Sequence, residues 1–204
     1  MLLAATVIGS GIMAERMSAG NGAIALLANT LATCGALYAL ISTLGPVSGA
    51  HFNPLVSIAM LLEKSLSAAA CACYIATQFA GMLLGMILAH AMFDLPLVQS
   101  GQHVRSGAGI WLSEGIASFA LLLVILGCVR QKLPAAGAVA ATIGAGYWFT
   151  ASTSFANPAI TLARSFTDSF AGIRPVDALP FILAQSAGAI LALGAARILF
   201  PKPK

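Results

Sequence analysis

Six apolar runs separated by short polar connections dominate the chain. They cover residues 2–14, 23–43, 68–93, 110–129, 135–152 and 178–200. A bilayer core about 30 Å thick needs about 20 residues of helix, and five of the six runs are long enough to span it. The pattern therefore predicts an all-α membrane protein in which residues 1–204 form a single transmembrane domain.

The first run is shorter than the others. At ~1.5 Å per residue, residues 2–14 reach only about 20 Å, which is less than the hydrocarbon thickness. We therefore expect a first helix that is either truncated before Met1 or defective as a span. A signal peptide is a weaker alternative, because no basic segment precedes the run and no clear small-x-small site follows it.

Composition and charge agree with a membrane location. Hydrophobic residues make up 59% of the chain and charged residues 8%, whereas soluble domains are about one-quarter charged. The scattered basic residues form no aromatic-rich basic face, so no nucleic-acid partner is expected. One side of the membrane receives Lys64, Arg130, Lys132, Arg197, Lys202 and Lys204, and the other receives Arg16, Arg105, Arg164 and Arg174 with several acids. The positive-inside rule then predicts a cytoplasmic C-terminus.

Two segments around Asn-Pro pairs resemble each other. The repeated sites are Asn53-Pro54-Leu55 with Gln78 downstream, and Asn157-Pro158-Ala159 with Gln185 downstream. Their recurrence indicates an internal duplication, with halves at about 1–94 and 108–204. Since each half contains three spans, the second half must be inverted in the membrane relative to the first.

Each Asn-Pro pair has a local structural role. Asn is a good N-cap and Pro is suited to the first helical turn, so each motif predicts a short re-entrant half-helix. Two such half-helices would meet at the midplane with their positive N-terminal ends converging, which repels cations. An Asn-Pro pair can also merely end a loop. The recurrence of the Asn-Pro pair at equivalent places in the two repeats favours two half-helices that form a pore.

The Asn-Pro motifs, together with segments 9–16, 28–33 and 48–54, resemble the aquaporin and aquaglyceroporin family. Within that family, the residues of these three segments resemble the bacterial branch often associated with arsenic-resistance operons. This resemblance implies a right-handed bundle of six transmembrane helices plus two re-entrant half-helices. It also implies a multi-pass homotetramer in the inner (plasma) membrane, with a pore in each subunit.

The resemblance also places a selectivity filter by counting from the two Asn residues, at Thr33, Ala145, Ser154 and Ile160. Water-selective members carry His and Arg at two of these positions. Ala145 and Ile160 therefore imply a wide, uncharged filter that admits larger neutral solutes. Leu55 stands where the family usually has Ala, and it would either narrow the pore or tilt its half-helix.

Several polar residues are expected to support the pore. The resemblance assigns Glu114 to accept hydrogen bonds from a re-entrant loop, and the matching Glu of the first half would precede Met1. Gln78 and Gln185 are expected to bind the loops. His51 would either line the pore and sense pH or be hydrogen-bonded within its loop. Arg164 would form a cationic outer mouth or lie on the surface near a helix C-terminus.

The function that these features favour is a passive channel for small uncharged solutes such as water, glycerol and arsenous acid-like metalloid hydroxides. The alternatives are a water-selective aquaporin, a secondary carrier and a membrane enzyme. Glu114 is the candidate for a coupling site inside a predicted span, and Glu114 and His90 are the candidates for catalysis. His90 and His103 lack a third ligand at metal-binding spacing. No catalytic residue, metal or cofactor is therefore expected.

Overall fold

The computed structural model describes residues 1–201, and its regular structure in that range is helical. The helices are α1 Leu2–Met17, α2 Gly22–Ser48, α3 Pro54–Leu62, α4 Ala68–Met92, α5 Ala108–Gln131, α6 Ala135–Phe149, α7 Pro158–Arg164 and α8 Pro175–Leu199. Residues 1–201 contain no strand. The all-α prediction is thus confirmed. Lys202 and Lys204, which entered the topology argument, lie outside the described residues.

Four helices, α2, α4, α5 and α8, are long and apolar enough to cross a membrane. The other two long elements, α1 and α6, have 16 and 15 residues. The helix in the predicted run 135–152 is therefore shorter than the run itself. Helix α6 ends at Phe149 because Thr150 adopts an extended conformation, with φ −108° and ψ 139°. The chain from Thr150 onward is free to form the loop that leads to α7.

The helix neighbours of the first half recur in the second half. Helix α1 packs against α2 and α4, and α5 packs against α6 and α8. The short helix α3 contacts α4 and α8, whereas α7 contacts α8 and α4. The half-helices also touch each other, and α2 packs against α6. Both short helices are thereby held inside the bundle formed by the long ones.

Small residues allow the long helices to approach closely. A Cβ added to Gly188 of α8 would overlap the backbone carbonyl of Gly115 in α5. Contacts of this kind replace the hydrophobic driving force that is missing between helices in lipid. Large apolar side chains such as Val47, Ile190 and Ile198 are instead exposed on the outer surface, where hydrocarbon would surround them.

Candidate functional site

Both half-helices begin at the Asn-Pro motifs, as the sequence predicted. Asn53 caps α3 by accepting a hydrogen bond from the Leu55 amide at 3.0 Å. Asn157 caps α7 by accepting from the amides of Ala159 at 3.0 Å and Ile160 at 3.3 Å. Each motif therefore ends a re-entrant loop and starts a helix at the same residue.

The two caps also bind each other's loops. The Asn53 side-chain amide donates to the Ala156 carbonyl at 2.8 Å, and the Asn157 amide donates to the Phe52 carbonyl at 2.8 Å. Each amide group carries two N–H donors, and each of these hydrogen bonds uses one of them. Since both Asn residues border the central cavity, each can offer its second N–H to a passing solute.

The loops that precede the two caps share an unusual backbone. The residues three and one before each Asn have positive φ: Ala50 (47°) and Phe52 (49°) in the first loop, Ser154 (51°) and Ala156 (48°) in the second. Such conformations are uncommon for residues with a Cβ and cost about 1–3 kcal/mol each. They persist only where the surroundings hold them, so the loops depend on their hydrogen-bond partners.

Glu114 of α5 provides that support in the second half. Its two carboxylate oxygens accept hydrogen bonds from the amides of Phe155 at 2.8 Å and Ala156 at 2.9 Å. The Gln185 side-chain amide donates to the same carboxylate at 2.6 Å and to the Thr161 hydroxyl at 2.9 Å. Glu114 and Gln185 are fully buried. The carboxylate therefore binds the loop and does not contact solute.

The first half uses a related arrangement around Ser57 of α3. Gln78 of α4 donates to the Ser57 hydroxyl at 2.9 Å, as Gln185 does to Thr161, and both hydroxyls lie four residues after their Asn. The His51 Nδ1 atom lies 3.0 Å from the same Ser57 hydroxyl. The His51 ring also packs against Tyr74, with centroids 5.0 Å apart. His51 is thus hydrogen-bonded within this region while it borders the cavity.

A cavity of about 150 Å³ passes both Asn residues. Most of its wall is apolar, with side chains from α1, α2, α3, α5 and α6. Among its polar lining residues are Thr33, His51, Asn53, Tyr147, Ser154, Asn157 and Arg164. The cavity therefore presents hydrogen-bonding groups along an otherwise apolar wall.

Three of the four residues assigned to the filter border this cavity, namely Thr33, Ser154 and Ile160. The assignment of Ala145 is wrong, because Ala145 is exposed on the other side of α6. Its neighbours two positions away, Ile143 and Tyr147, border the cavity instead. A separation of two helical residues corresponds to about 200°, so they point away from Ala145. The Tyr147 hydroxyl lies 3.3 Å from the Thr33 hydroxyl and closes the wall between α2 and α6.

Arg164 is a buried residue of the cavity wall, so its interpretation as a surface residue is wrong. Its exposed fraction is 3%. The Nε atom donates to the Ala171 carbonyl, and the guanidinium carbon lies 3.3 Å from the centre of the Phe155 ring. The loop after α7 folds back over the side chain. The cavity wall therefore includes one cationic side chain, as the alternative of a cationic mouth at Arg164 requires, although the residues assigned to the filter are uncharged.

Leu55 lies outside the cavity. Its side chain is buried in an apolar cluster with Leu122 and Leu126 of α5 and Ala189 of α8. The next residue, Val56, borders the cavity. The alternative in which Leu55 narrows the pore is therefore wrong, because the side chain packs between α3 and its neighbours.

No sequence pattern indicated a site role for Arg105, which lies in the long connection between α4 and α5. Its side chain donates to the carbonyls of Gly172 at 2.8 Å, Phe170 at 3.3 Å and Ser152 at 3.4 Å. Its guanidinium carbon lies 5.0 Å from the centre of the Phe155 ring. Burial lowers the pKa of Arg105, while the Glu114 carboxylate acts in the opposite direction. Arg105 joins the two loops that follow α6 and α7.

Replacing Arg105 by Ala is expected to loosen these two loops. The three carbonyls lose a charged donor, and such hydrogen bonds contribute about 1.5–3 kcal/mol. Amide hydrogen exchange of residues 152–156 and 165–174 should accelerate by about tenfold or more. Arg105→Lys keeps the charge but lacks the planar fork, so it should restore only part of the protection. Exchange in Arg105→Ala equal to that of the parent chain would contradict this role.

Comparison with known proteins agrees with this architecture. The sequence model of the major intrinsic protein family matches residues 1–151. The chain is 51% identical over 197 residues to aquaglyceroporin AqpS of Rhizobium meliloti, covering 96% of this chain and 84% of that protein. It is 30% identical over 177 residues to probable aquaporin AqpM of Archaeoglobus fulgidus, covering 77% of this chain and 70% of that protein.

A third relative is glycerol uptake facilitator protein-like 6 of Lactiplantibacillus plantarum, which is 28% identical over 165 residues, with 76% of each chain covered. The resemblance inferred from the Asn-Pro motifs is confirmed by these matches. The chain belongs to the major intrinsic protein family, whose aquaglyceroporins are membrane channels and not enzymes.

Proposed function

We propose that this channel conducts water, glycerol and arsenous acid-like metalloid hydroxides passively through the cavity of each chain. The observation that carries the proposal is the pair of half-helix N-termini tied through Asn53 and Asn157 at the cavity wall. Each Asn retains one N–H for a solute oxygen. Neutral hydroxylated molecules therefore find donors where the surrounding wall is apolar.

Ions are disfavoured by the same arrangement. The N-terminal end of each half-helix carries about half a positive charge, and Arg164 adds a full one. Cations are therefore repelled. An anion would lose hydration that a mostly apolar wall cannot replace, and unpaired burial of a charge is costly. Uncharged solutes pay neither penalty, which supports a neutral-solute pore.

The choice among neutral solutes depends on α7. Ile160 borders the cavity one turn after Asn157, and the cationic side chain follows only at Arg164. Four helical residues correspond to about 6 Å along the axis. The position one turn after Asn157 therefore carries an aliphatic side chain instead of a guanidinium, and we infer that this leaves room for glycerol. The 51% identical relative is itself named an aquaglyceroporin.

A strictly water-selective pore is the second candidate. The observation that favours it is that Tyr147 and Arg164 both border the cavity. The phenol ring of Tyr147 and the guanidinium of Arg164 leave less space than the smaller, uncharged side chains expected from sequence. Solute flux distinguishes the two candidates directly.

We further propose that the halves at about 1–94 and 108–204 form an inverted repeat, and that the chain assembles as a homotetramer in the plasma membrane with a cytoplasmic C-terminus. The recurrence of helix neighbours in the two halves supports the repeat. The proposed orientation rests on the positive-inside rule, since Lys64, Arg130 and Arg197 lie together at one end of the bundle.

The test is flux in liposomes that contain the purified chain. Stopped-flow light scattering under sucrose and then glycerol gradients reports water and glycerol, and arsenous acid uptake is measured in parallel. The parent chain is expected to conduct all three solutes. Ile160→Arg should reduce glycerol and arsenous acid flux by about tenfold or more, and water flux less. The larger side chain narrows the cavity beside Asn157, and its guanidinium adds a positive charge there.

Ile160→Val is the matched control and should behave like the parent chain. Fast water flow without glycerol or arsenous acid entry in the parent chain would favour the water-selective candidate. Saturable flux coupled to an ion gradient would point to a carrier. Equal glycerol flux in Ile160→Arg and Ile160→Val would refute the assignment of α7 as the selective wall.

A further inference from the structure

A second cavity lies at the end of the bundle where α3, α5 and α8 end. Its volume is about 300 Å³, and it is lined by Leu62, Glu63, Lys64, Arg130 and Arg197. Three of these side chains are basic and one is acidic, so the lining carries net positive charge. Among the described residues, this cavity shares none with the pore. The pore proposal therefore does not explain it.

Arg130 forms the rigid part of this cavity. Its side chain is 8% exposed. One terminal nitrogen donates to the carbonyls of Ala196 at 2.6 Å and Phe200 at 2.8 Å, and the other donates to the Glu63 carboxylate at 2.7 Å. These bonds fix the guanidinium at the junction of α5, α8 and the end of α3. A ligand that binds here does not have to order this side chain.

One donor of Arg130 is unused. The Nε atom is buried and has no hydrogen-bond partner within residues 1–201. Burying an unsatisfied donor is unfavourable, and the cost is larger for a charged group. The carbonyls of Ala196 and Phe200, which would repel an anion, are already bound by the same guanidinium. Because the Nε atom is enclosed, it adds no donor that a ligand can reach, and the reachable donors of the site are those of Lys64 and Arg197.

The remaining charge of the site comes from Lys64 and Arg197, since Glu63 offsets Arg130. Both Lys64 and Arg197 are exposed, so a ligand can reach them from water or from the membrane boundary. Guanidinium and ammonium groups together recognise phosphate, which offers several acceptor oxygens and one or two negative charges. Basic pockets between transmembrane helices on the positive side of a membrane suit anionic head groups.

We propose that this cavity, called the basic cavity below, binds the phosphate group of an anionic molecule through Lys64 and Arg197, against the fixed side chain of Arg130. The phosphate belongs either to a phospholipid head group or to a soluble phosphate compound. Glu63 and Lys64 directly follow the last residue of α3, the half-helix that starts at Asn53. A bound phosphate thus joins the end of this half-helix to α5 and α8, and it stabilises the folded chain by mass action.

The experiment measures thermal unfolding of the full chain in two arms. In detergent, inorganic phosphate is titrated against chloride and sulfate at equal ionic strength. In nanodiscs, phosphatidylcholine alone is compared with phosphatidylcholine that contains phosphatidylglycerol. A rise in the unfolding midpoint of about 3 °C or more is expected in at least one arm. Phosphate in detergent identifies a soluble source, and phosphatidylglycerol alone identifies a lipid head group.

The variants locate the effect. Lys64→Ala combined with Arg197→Ala removes two exposed charges, leaves the Arg130 to Glu63 pair intact, and should abolish the shift. Lys132→Ala removes an exposed charge next to the end of α5 that does not line the cavity, and it should keep the shift. The proposal is overturned if neither arm shows a shift, if the double variant keeps the shift of the parent chain, or if the Lys132 variant loses as much as the double variant. Solute flux does not enter this test, so its outcome is independent of the pore proposal.

Discussion

Replacing Glu114 by Ala is expected to abolish solute flux and to lower the stability of the chain severely. The change leaves the amides of Phe155 and Ala156 and the side-chain amide of Gln185 without their acceptor. Each unsatisfied buried donor costs about 1–3 kcal/mol, so three cost roughly 3–9 kcal/mol. Folded proteins are stable by only about 5–15 kcal/mol. Thermal unfolding in detergent and osmotic flux in liposomes measure the two effects.

Two further variants interpret this result. Glu114→Gln keeps the shape of the side chain but presents an NH₂ group where one loop amide needs an acceptor, so an intermediate loss is expected. Asp94→Asn changes an exposed carboxylate at the end of α4 and should leave unfolding and flux unchanged. If Glu114→Ala conducts water at the parent rate, the second loop does not depend on this carboxylate.

The second large effect is expected for Gly188→Ala. The added methyl group would overlap the Gly115 carbonyl, and a backbone atom inside a packed helix cannot move alone. Overpacking of this kind costs about 1–3 kcal/mol, which corresponds to roughly 2–12 °C in the unfolding midpoint for a chain of this size. Flux should fall as well, because α8 also carries Gln185, whose side-chain amide binds Glu114 and Thr161 of α7.

Gly194→Ala is the matched control on the same helix. An added Cβ at this position meets no atom within 4 Å, and Ala is a better helix former than Gly by about 1 kcal/mol. The unfolding midpoint of Gly194→Ala should therefore equal or slightly exceed that of the parent chain. Equal midpoints for the two variants would show that α5 and α8 are not in the close contact described here.

The features that were predictable from sequence depend on local chemistry. Asn53 and Asn157 cap their helices through amides two or three residues away, and proline suits the following position whatever the rest of the fold does. The lengths of α2, α4, α5 and α8 follow from apolar runs. Glu114 could be singled out because a carboxylate inside a span needs partners, although only the structure shows which amides these are.

The errors have a common origin in irregular segments. Counting back from Asn157 to Ala145 passes through the non-helical residues 150–156, in which Ser154 and Ala156 have positive φ. Such a path does not preserve the rotation of α6, so the count selects the wrong face. The burial of Arg164 depends on the loop after α7, which binds it through Ala171. The position of Arg105 likewise depends on a connection that has no periodic pattern.

Two crossed hydrogen bonds between the Asn-Pro motifs limit where this channel can be regulated. The Asn53 side chain binds the Ala156 carbonyl of the second loop, and the Asn157 side chain binds the Phe52 carbonyl of the first loop. Rocking one half of the molecule against the other would break both bonds at once. The two half-helices are thus held rigidly against each other where they meet. Control of conduction is therefore expected away from this junction, for example at the loops that Arg105 binds or at His51 in the cavity wall.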